Sequence, residues 1–265
     1  MTELQASRSG KSAFEVATMA AMAAGEIIKA GLSEEKQVTY KGKANAVTDV
    51  DLEVDGAIKS LLHDEYPDHG ILTEESAAIK SASGYTWVID PLDGTNNYAF
   101  SIPFCSTVIA LAKGEDVLLG LIYDPLRDEM FSAQKGKGAL LNGSPIHVSR
   151  KTSVQDALLG FDLGYVEEKG RRTLEFLTAL WRRMHSIRIM GSGALGLAYA
   201  ACGRVDLYFH PLLYPWELTC GRLLLTEAGG TITDWEGKQL RIAESSVIAS
   251  NSTLHAEFLS LIKTK

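Results

Sequence analysis

A layered α/β fold of the αβαβα sandwich type is predicted for this chain, with an α+β N-terminal half built on an antiparallel sheet and an α/β C-terminal half. Three observations predict it. The chain opens with two helical segments, residues 106–141 read as successive short strands, and strand and helix alternate from residue 157 onward. No repeat or low-complexity tract interrupts this order. The natural boundary lies near Ser149, dividing 1–149 from 150–265.

Each element has a local reason. Ser12-Ala13-Phe14-Glu15 fits a capping box and Gly31 a stop, which predicts a helix over 13–30. Val50, Val54, Ala57, Ile58, Leu61 and Leu62 recur at helical spacing, so a second helix starts near Thr48 and ends at Pro67. Strands over 70–73 and 85–89 follow, each ending in acid. Segments 107–112, 117–123 and 130–133 are β-like, broken by Gly114 and Asp124-Pro125, and Asn142-Gly143 suits a hairpin. Beyond Ser149 the pattern predicts strands at 157–161, 187–190, 205–209, 231–233 and 247–249. Helices are predicted at 167–184, 194–202, 215–228 and 254–262.

Composition narrows the function classes. At 265 residues, with 46% hydrophobic and 22% charged residues, the chain can bury a large core. A formal net charge of -7 leaves no cation surplus for neutralising nucleic-acid phosphates. Arg171-Arg172 and Arg182-Arg183 read as solvated helix faces. Cys105, Cys202 and Cys220 lack metal spacing and read as reduced core residues. The polar start, Met1 to Lys11, has no signal-peptide core, and no apolar run is long enough to span a bilayer, so a cytoplasmic protein without membrane partners is expected.

The chemistry concentrates in Asp90-Pro91-Leu92-Asp93-Gly94-Thr95, directly behind the apolar run 85–89. Two carboxylates at a strand end, a glycine that lets backbone approach a ligand and a threonine hydroxyl suit a hard divalent cation beside a phosphate. The same hexapeptide also suits an ordinary turn. Asp51 in the first turn of the second helix and Glu74-Glu75 behind another strand add carboxylates. Acids delivered to one edge by two strands are costly to leave without a cation. Gly191-Ser192-Gly193-Ala194 opens a later helix, where simple packing is the competing explanation. His210 reads as a surface histidine, and His63, His69, His147, His185 and His255 as solvated or structural.

The segment Trp87 to Tyr98 closely resembles the signature of the inositol monophosphatase family of magnesium-dependent, lithium-sensitive phosphatases. Other segments fit in the same order across roughly residues 13–260: Lys41-Gly42 with Val47-Thr48-Asp49-Val50-Asp51, Ile71 to Ser76, Gly136 to Ala139 with Asn142-Gly143, and Thr226 to Gly230. The resemblance implies magnesium held by Glu74, Asp90, Asp93 and the Leu92 carbonyl. Its last ligand should be the aspartate of a Trp-Asp pair, but the chain has Trp216-Glu217. Glutamate there is a feature of the related fructose-1,6-bisphosphatases. The resemblance further implies that Asp51 with Thr95, and Glu74 through its metal, activate water. It sets Gly94 and Thr95 on phosphate, and Asp93, Gly191, Ser192, Gly193 and Glu217 beside the substrate. His210 falls where better-known members carry an inositol-binding glutamate. The expected substrate is a small phosphorylated polyol or sugar, most readily myo-inositol 1-phosphate. The expected assembly is a homodimer, with a β-rich segment around 100–104 at its interface. A catalytically weak regulatory or interaction protein is the alternative from another class.

Overall fold

The computed structural model describes residues 6–42 and 45–263. Met1 to Gln5, at the head of the polar start, lie outside the described residues. The element order is α1 (Ala13–Gly31), β1 (Val38–Gly42), β2 (Asn45–Thr48), α2 (Asp49–Glu65), β3 (Gly70–Thr73), β4 (Tyr85–Asp93) and α3 (Thr95–Ala99). Then come β5 (Ser106–Lys113), β6 (Asp116–Asp124), β7 (Glu129–Gln134), β8 (Ala139–Leu141) and β9 (Ser144–Pro145). The remainder is β10 (Leu158–Phe161), α4 (Glu167–Leu180), β11 (Ser186–Ile189), α5 (Gly193–Ala201), β12 (Leu207–Leu213), α6 (Pro215–Glu227), β13 (Thr231–Thr233), β14 (Ser245–Ser250) and α7 (Ser252–Lys263).

The alternation of side chains along the strands explains the layering. On β4, Trp87 and Ile89 face the core shared with α1 and α2, while Val88 faces α5 and α6. On β12, Tyr208 faces α5 and α6, while Leu207 and Phe209 join Leu177, Leu180 and Phe258 from α4 and α7. Five layers result: α1/α2, the β3–β9 sheet, α5/α6, the second sheet and α4/α7. Both sheets must be apolar on both faces, so α5, sandwiched between them, is nearly all alanine, leucine and glycine.

The predicted antiparallel sheet is antiparallel from β4 through β9, but β3 joins it in parallel at one edge. The second sheet runs β11-β10-β12-β14-β13 and is mixed. Parallel pairing of β3 and β4 brings their carboxyl ends, and hence Glu74 and Asp90, to one edge. β1 and β2 form a separate antiparallel hairpin. Segment 100–104 is a loop rather than strand, because Ser101 takes a left-handed conformation (φ 56°) and Pro103 supplies no donor for a ladder. The three cysteines are free, with Cys105 and Cys220 buried. Among the described residues no helix is long and apolar enough to cross a membrane.

Candidate active site

The strand predicted to stop at Ile89 continues to Asp93, with a register shift between Asp90 and Asp93 where Pro91 lacks an N–H. A bulge of this kind re-aims side chains, and both carboxylates end up buried at the strand's end. Gly94 follows with φ 88°. A Cβ there would lie 3.0 Å from the Phe104 carbonyl, so glycine is required by conformation and by space.

Asp93 is bound on all sides. Its Oδ1 accepts the Gly193 amide at 3.0 Å, and its Oδ2 accepts the Ala194 amide at 3.1 Å, the Ser106 hydroxyl at 3.1 Å and the Ser192 hydroxyl. The amino end of α5, with Ser192 as its cap, therefore points its free N–H groups at a carboxylate.

Asp51 stands behind Thr95. Its Oδ2 accepts the Thr48 amide at 2.8 Å and the Thr48 hydroxyl, and its Oδ1 lies 3.0 Å from Thr95 Oγ1. That hydroxyl is also 2.8 Å from the Leu92 carbonyl oxygen. Burial pushes the Asp51 carboxyl up to about 6, against the lowering effect of its hydrogen bonds with Thr48.

Glu74 follows β3 and meets Lys41 of β1, whose Nζ is 3.2 Å from Glu74 Oε1 and 2.7 Å from Glu75 Oε1. Burial pushes Glu74 up to about 7, with Lys41 opposing. Asp90 is raised far above the carboxylate range, first by burial and then by the charges of Glu74, Asp93, Glu217 and Asp51. Glu217 is raised by burial and by Asp93.

Glu217 occupies the third position of α6, after Pro215, and its Oε2 accepts the Tyr214 amide at 2.7 Å. Glu217 thereby reaches back to its own helix start, as Asp51 does at the third position of α2. Its Oε1 would lie 3.1 Å from a Cβ on Gly193, so glycine leaves room for it.

These groups surround a cavity of about 260 Å³. Every site residue expected from sequence lines it except Asp51, which reaches it through Thr95. His210 corrects the expectation of a surface histidine. It sits on β12 between the sheet and the cavity and is 5% exposed, because the strand is buried on both faces. Its Nδ1 accepts the Leu212 amide at 3.1 Å, which leaves the proton of the neutral ring on Nε2, and burial lowers it to about 3. His69 and His255 are also buried; His69 stacks between Tyr66 and Tyr85, and His255 pairs with Thr233.

Among the lining residues that the sequence reasoning did not single out are Asp162, Tyr165 and Tyr214. Asp162 carries the signal that marks Asp90, an acid directly behind an apolar strand. Tyr214 stacks on Trp216 with ring centroids 5.3 Å apart, and neither tyrosine has a local signal.

The donor set suits a hard cation: carboxylates and a backbone carbonyl, with no thiol. Mutual repulsion around Asp90 is the physical sign that positive charge is wanted there. Among the described residues no three acidic or His/Cys side chains stand ready to hold one ion. Glu74, Asp93 and Glu217 each bond to a protein partner instead, namely Lys41, the start of α5 and the start of α6.

The description "Inositol monophosphatase family" applies to a pattern that matches residues 11–265. An inositol monophosphatase of Mesembryanthemum crystallinum is 36% identical over 251 residues, covering 92% of this chain and 93% of the relative. A Nus factor SuhB of Pasteurella multocida is 34% identical, covering 94% of each. The crystal structure of extragenic suppressor protein suhB from Bartonella henselae superposes with a TM-score of 0.91 at 32% identity, covering 94% of this chain and 98% of that one. Family members are phosphoric monoester hydrolases and generally metal-dependent. The cavity between the ends of β3, β4, α5 and α6 thus lies in a phosphatase scaffold, and the chain belongs to the inositol monophosphatase family.

Proposed function

We propose that this chain hydrolyses a small phosphorylated polyol or sugar, with myo-inositol 1-phosphate as the reference substrate, in a magnesium-dependent and lithium-sensitive reaction. The crowding of five carboxylates around one cavity, with Asp90 at the centre, supports this reading most directly. Glu74, Asp90, Asp93, Glu217 and the Leu92 carbonyl would hold the metal. When bound, magnesium supplies Lewis-acid stabilisation of negative charge on the phosphate and the leaving oxygen. Residues 1–149 contribute most of these ligands, and 150–265 complete the site with Glu217 and the wall beside the substrate.

The chain's own residues handle proton and orientation. Thr95, hydrogen-bonded toward Asp51, orients the attacking water, and Asp51 accepts its proton. Gly94 and Thr95 line the phosphate end of the cavity. Gly191, Ser192 and Gly193 form the wall beside the polyol, with Asp93 behind them. His210 offers a neutral Nε2–H donor, so a substrate oxygen that accepts is favoured at that wall.

Phosphate release from myo-inositol 1-phosphate, measured with magnesium and with a chelator, tests the reading. Release that survives chelation would overturn it. Glu217 favours fructose 1,6-bisphosphate as the second substrate to compare at equal concentration. A role as interaction protein is the reading associated with the Nus factor relative; absence of magnesium binding would favour it. A homodimer fits the exposed Phe100 and Ile102 beside the site loop, 75% and 49% accessible. A single 28.7 kDa species in sedimentation at micromolar concentration would exclude it.

A further inference from the structure

β10 is followed directly by a carboxylate that neither the metal set nor the proton path uses. Asp162 is buried beside the cavity, and both its oxygens are engaged: Oδ1 accepts the Gly191 amide at 2.6 Å and Oδ2 the Tyr208 hydroxyl at 2.8 Å. Tyr208 is tightly enclosed, since its ring fills the space that a Cβ on Gly196 would enter, at 2.2 Å, and lies 3.1 Å from where a Cβ on Gly160 would stand. From across the turn, Asn97 Nδ2 donates to the Gly191 and Met190 carbonyls at 3.1 and 3.2 Å. Gly191 itself has φ 74°, and a Cβ there would lie 2.6 Å from Asn97. The turn before α5 is clamped from both sides. Immediately after it come the Ser192 hydroxyl and the Gly193 and Ala194 amides, which supply three of the four hydrogen bonds on Asp93.

We propose that Asp162 is a positioning residue for the reaction: by fixing the 191–194 turn against Tyr208, it sets the orientation of the Asp93 carboxylate. The inference rests on the reading of Asp93 as a magnesium ligand. Removing the carboxylate leaves the Gly191 amide and the Tyr208 hydroxyl unpaired in the interior, and the turn relaxes to recover partners. Asp93 moves with it, because its other anchor is Ser106 alone. Groups that orient a ligand without touching the metal carry about 10- to 100-fold in metal affinity.

Magnesium binding to the full chain by titration calorimetry tests this on the wild type and on Asp162→Ala, Asp162→Asn, Tyr208→Phe and Asp93→Asn. Asp162→Ala is expected to bind magnesium about 10- to 100-fold more weakly and to lose kcat with little change in KM. Asp162→Asn keeps an acceptor for the Gly191 amide and is expected within about threefold of wild type. Wild-type magnesium affinity in a folded Asp162→Ala protein, with only the melting temperature lowered, would overturn the proposal. If Asp162→Ala does not fold, Tyr208→Phe carries the test: weakened binding supports the proposal, and wild-type binding overturns it. Unchanged binding in Asp93→Asn would instead remove the reading of Asp93 on which the inference stands.

Discussion

Gly193 donates its backbone N–H to Asp93 Oδ1 at 3.0 Å, joining the amino end of α5 to the carboxyl end of β4. The two residues are 100 positions apart, so the candidate site is a product of the tertiary fold. Asp93 thus accepts the first free amides of α5, and on the proposed reading the same carboxylate would also hold the metal. Asp93→Asn keeps one acceptor oxygen, so the expected outcome is a folded protein by circular dichroism. Its kcat is expected to fall by more than about 100-fold, beyond the range for groups that act on a metal indirectly.

The Asp51–Thr95 pair predicts a different signature. Asp51→Asn removes the proposed proton acceptor while leaving the proposed metal ligands in place. A loss of roughly 100- to 10,000-fold in kcat is expected with magnesium affinity close to wild type, as read by calorimetry beside steady-state kinetics. Thr95→Val should follow the same direction, since it removes the hydroxyl between Asp51 and the cavity.

His210 predicts a KM effect. Loss of its Nε2–H donor in His210→Ala is expected to raise KM about 3- to 10-fold with kcat little changed. Because burial holds the ring neutral down to about 3, KM should show no histidine titration between about pH 5 and 8. A KM that changes through pH 6.5 in the wild type and not in the variant would contradict the buried, neutral ring.

Stability of the metal-free protein carries a pH signature of fixed sign. Asp51, Glu74 and Asp162 are raised to about 6, 7 and 7, so folding favours their neutral forms. Their contribution is fully present below their ordinary carboxylate values and is lost as pH rises through about 6 to 7. The melting temperature with chelator is therefore expected to fall between about pH 5 and 8, and added magnesium to restore it at the upper end. A metal-free melting temperature that rises over that range would contradict the crowding around Asp90.

Much of this was legible in the chain because local chemistry marks it. The Ser12–Glu15 box, the strand at Gly70–Thr73 and the acids behind two apolar runs are short-range signals that the fold preserves. What escaped was set by contacts distant in sequence. His210 looks like a surface residue until β12 is seen covered on both faces. Asp162 shares the local signal of Asp90, but the partners that distinguish it, Gly191 and Tyr208, are distant in sequence. The continuation of β4 to Asp93 depends on a bulge at Pro91, where proline suggested a turn. Segment 100–104 had strand-like composition, but Ser101 and Pro103 turn it into a loop.

The central claim is that the carboxylates around Asp90 form a magnesium site for phosphate-ester hydrolysis. Its most direct test is the rate of phosphate release from myo-inositol 1-phosphate across a magnesium titration, in wild type and Asp93→Asn side by side. The expected result is saturable activation of the wild type, none with chelator and near-complete loss in the variant; equal release from both proteins with chelator present would contradict it.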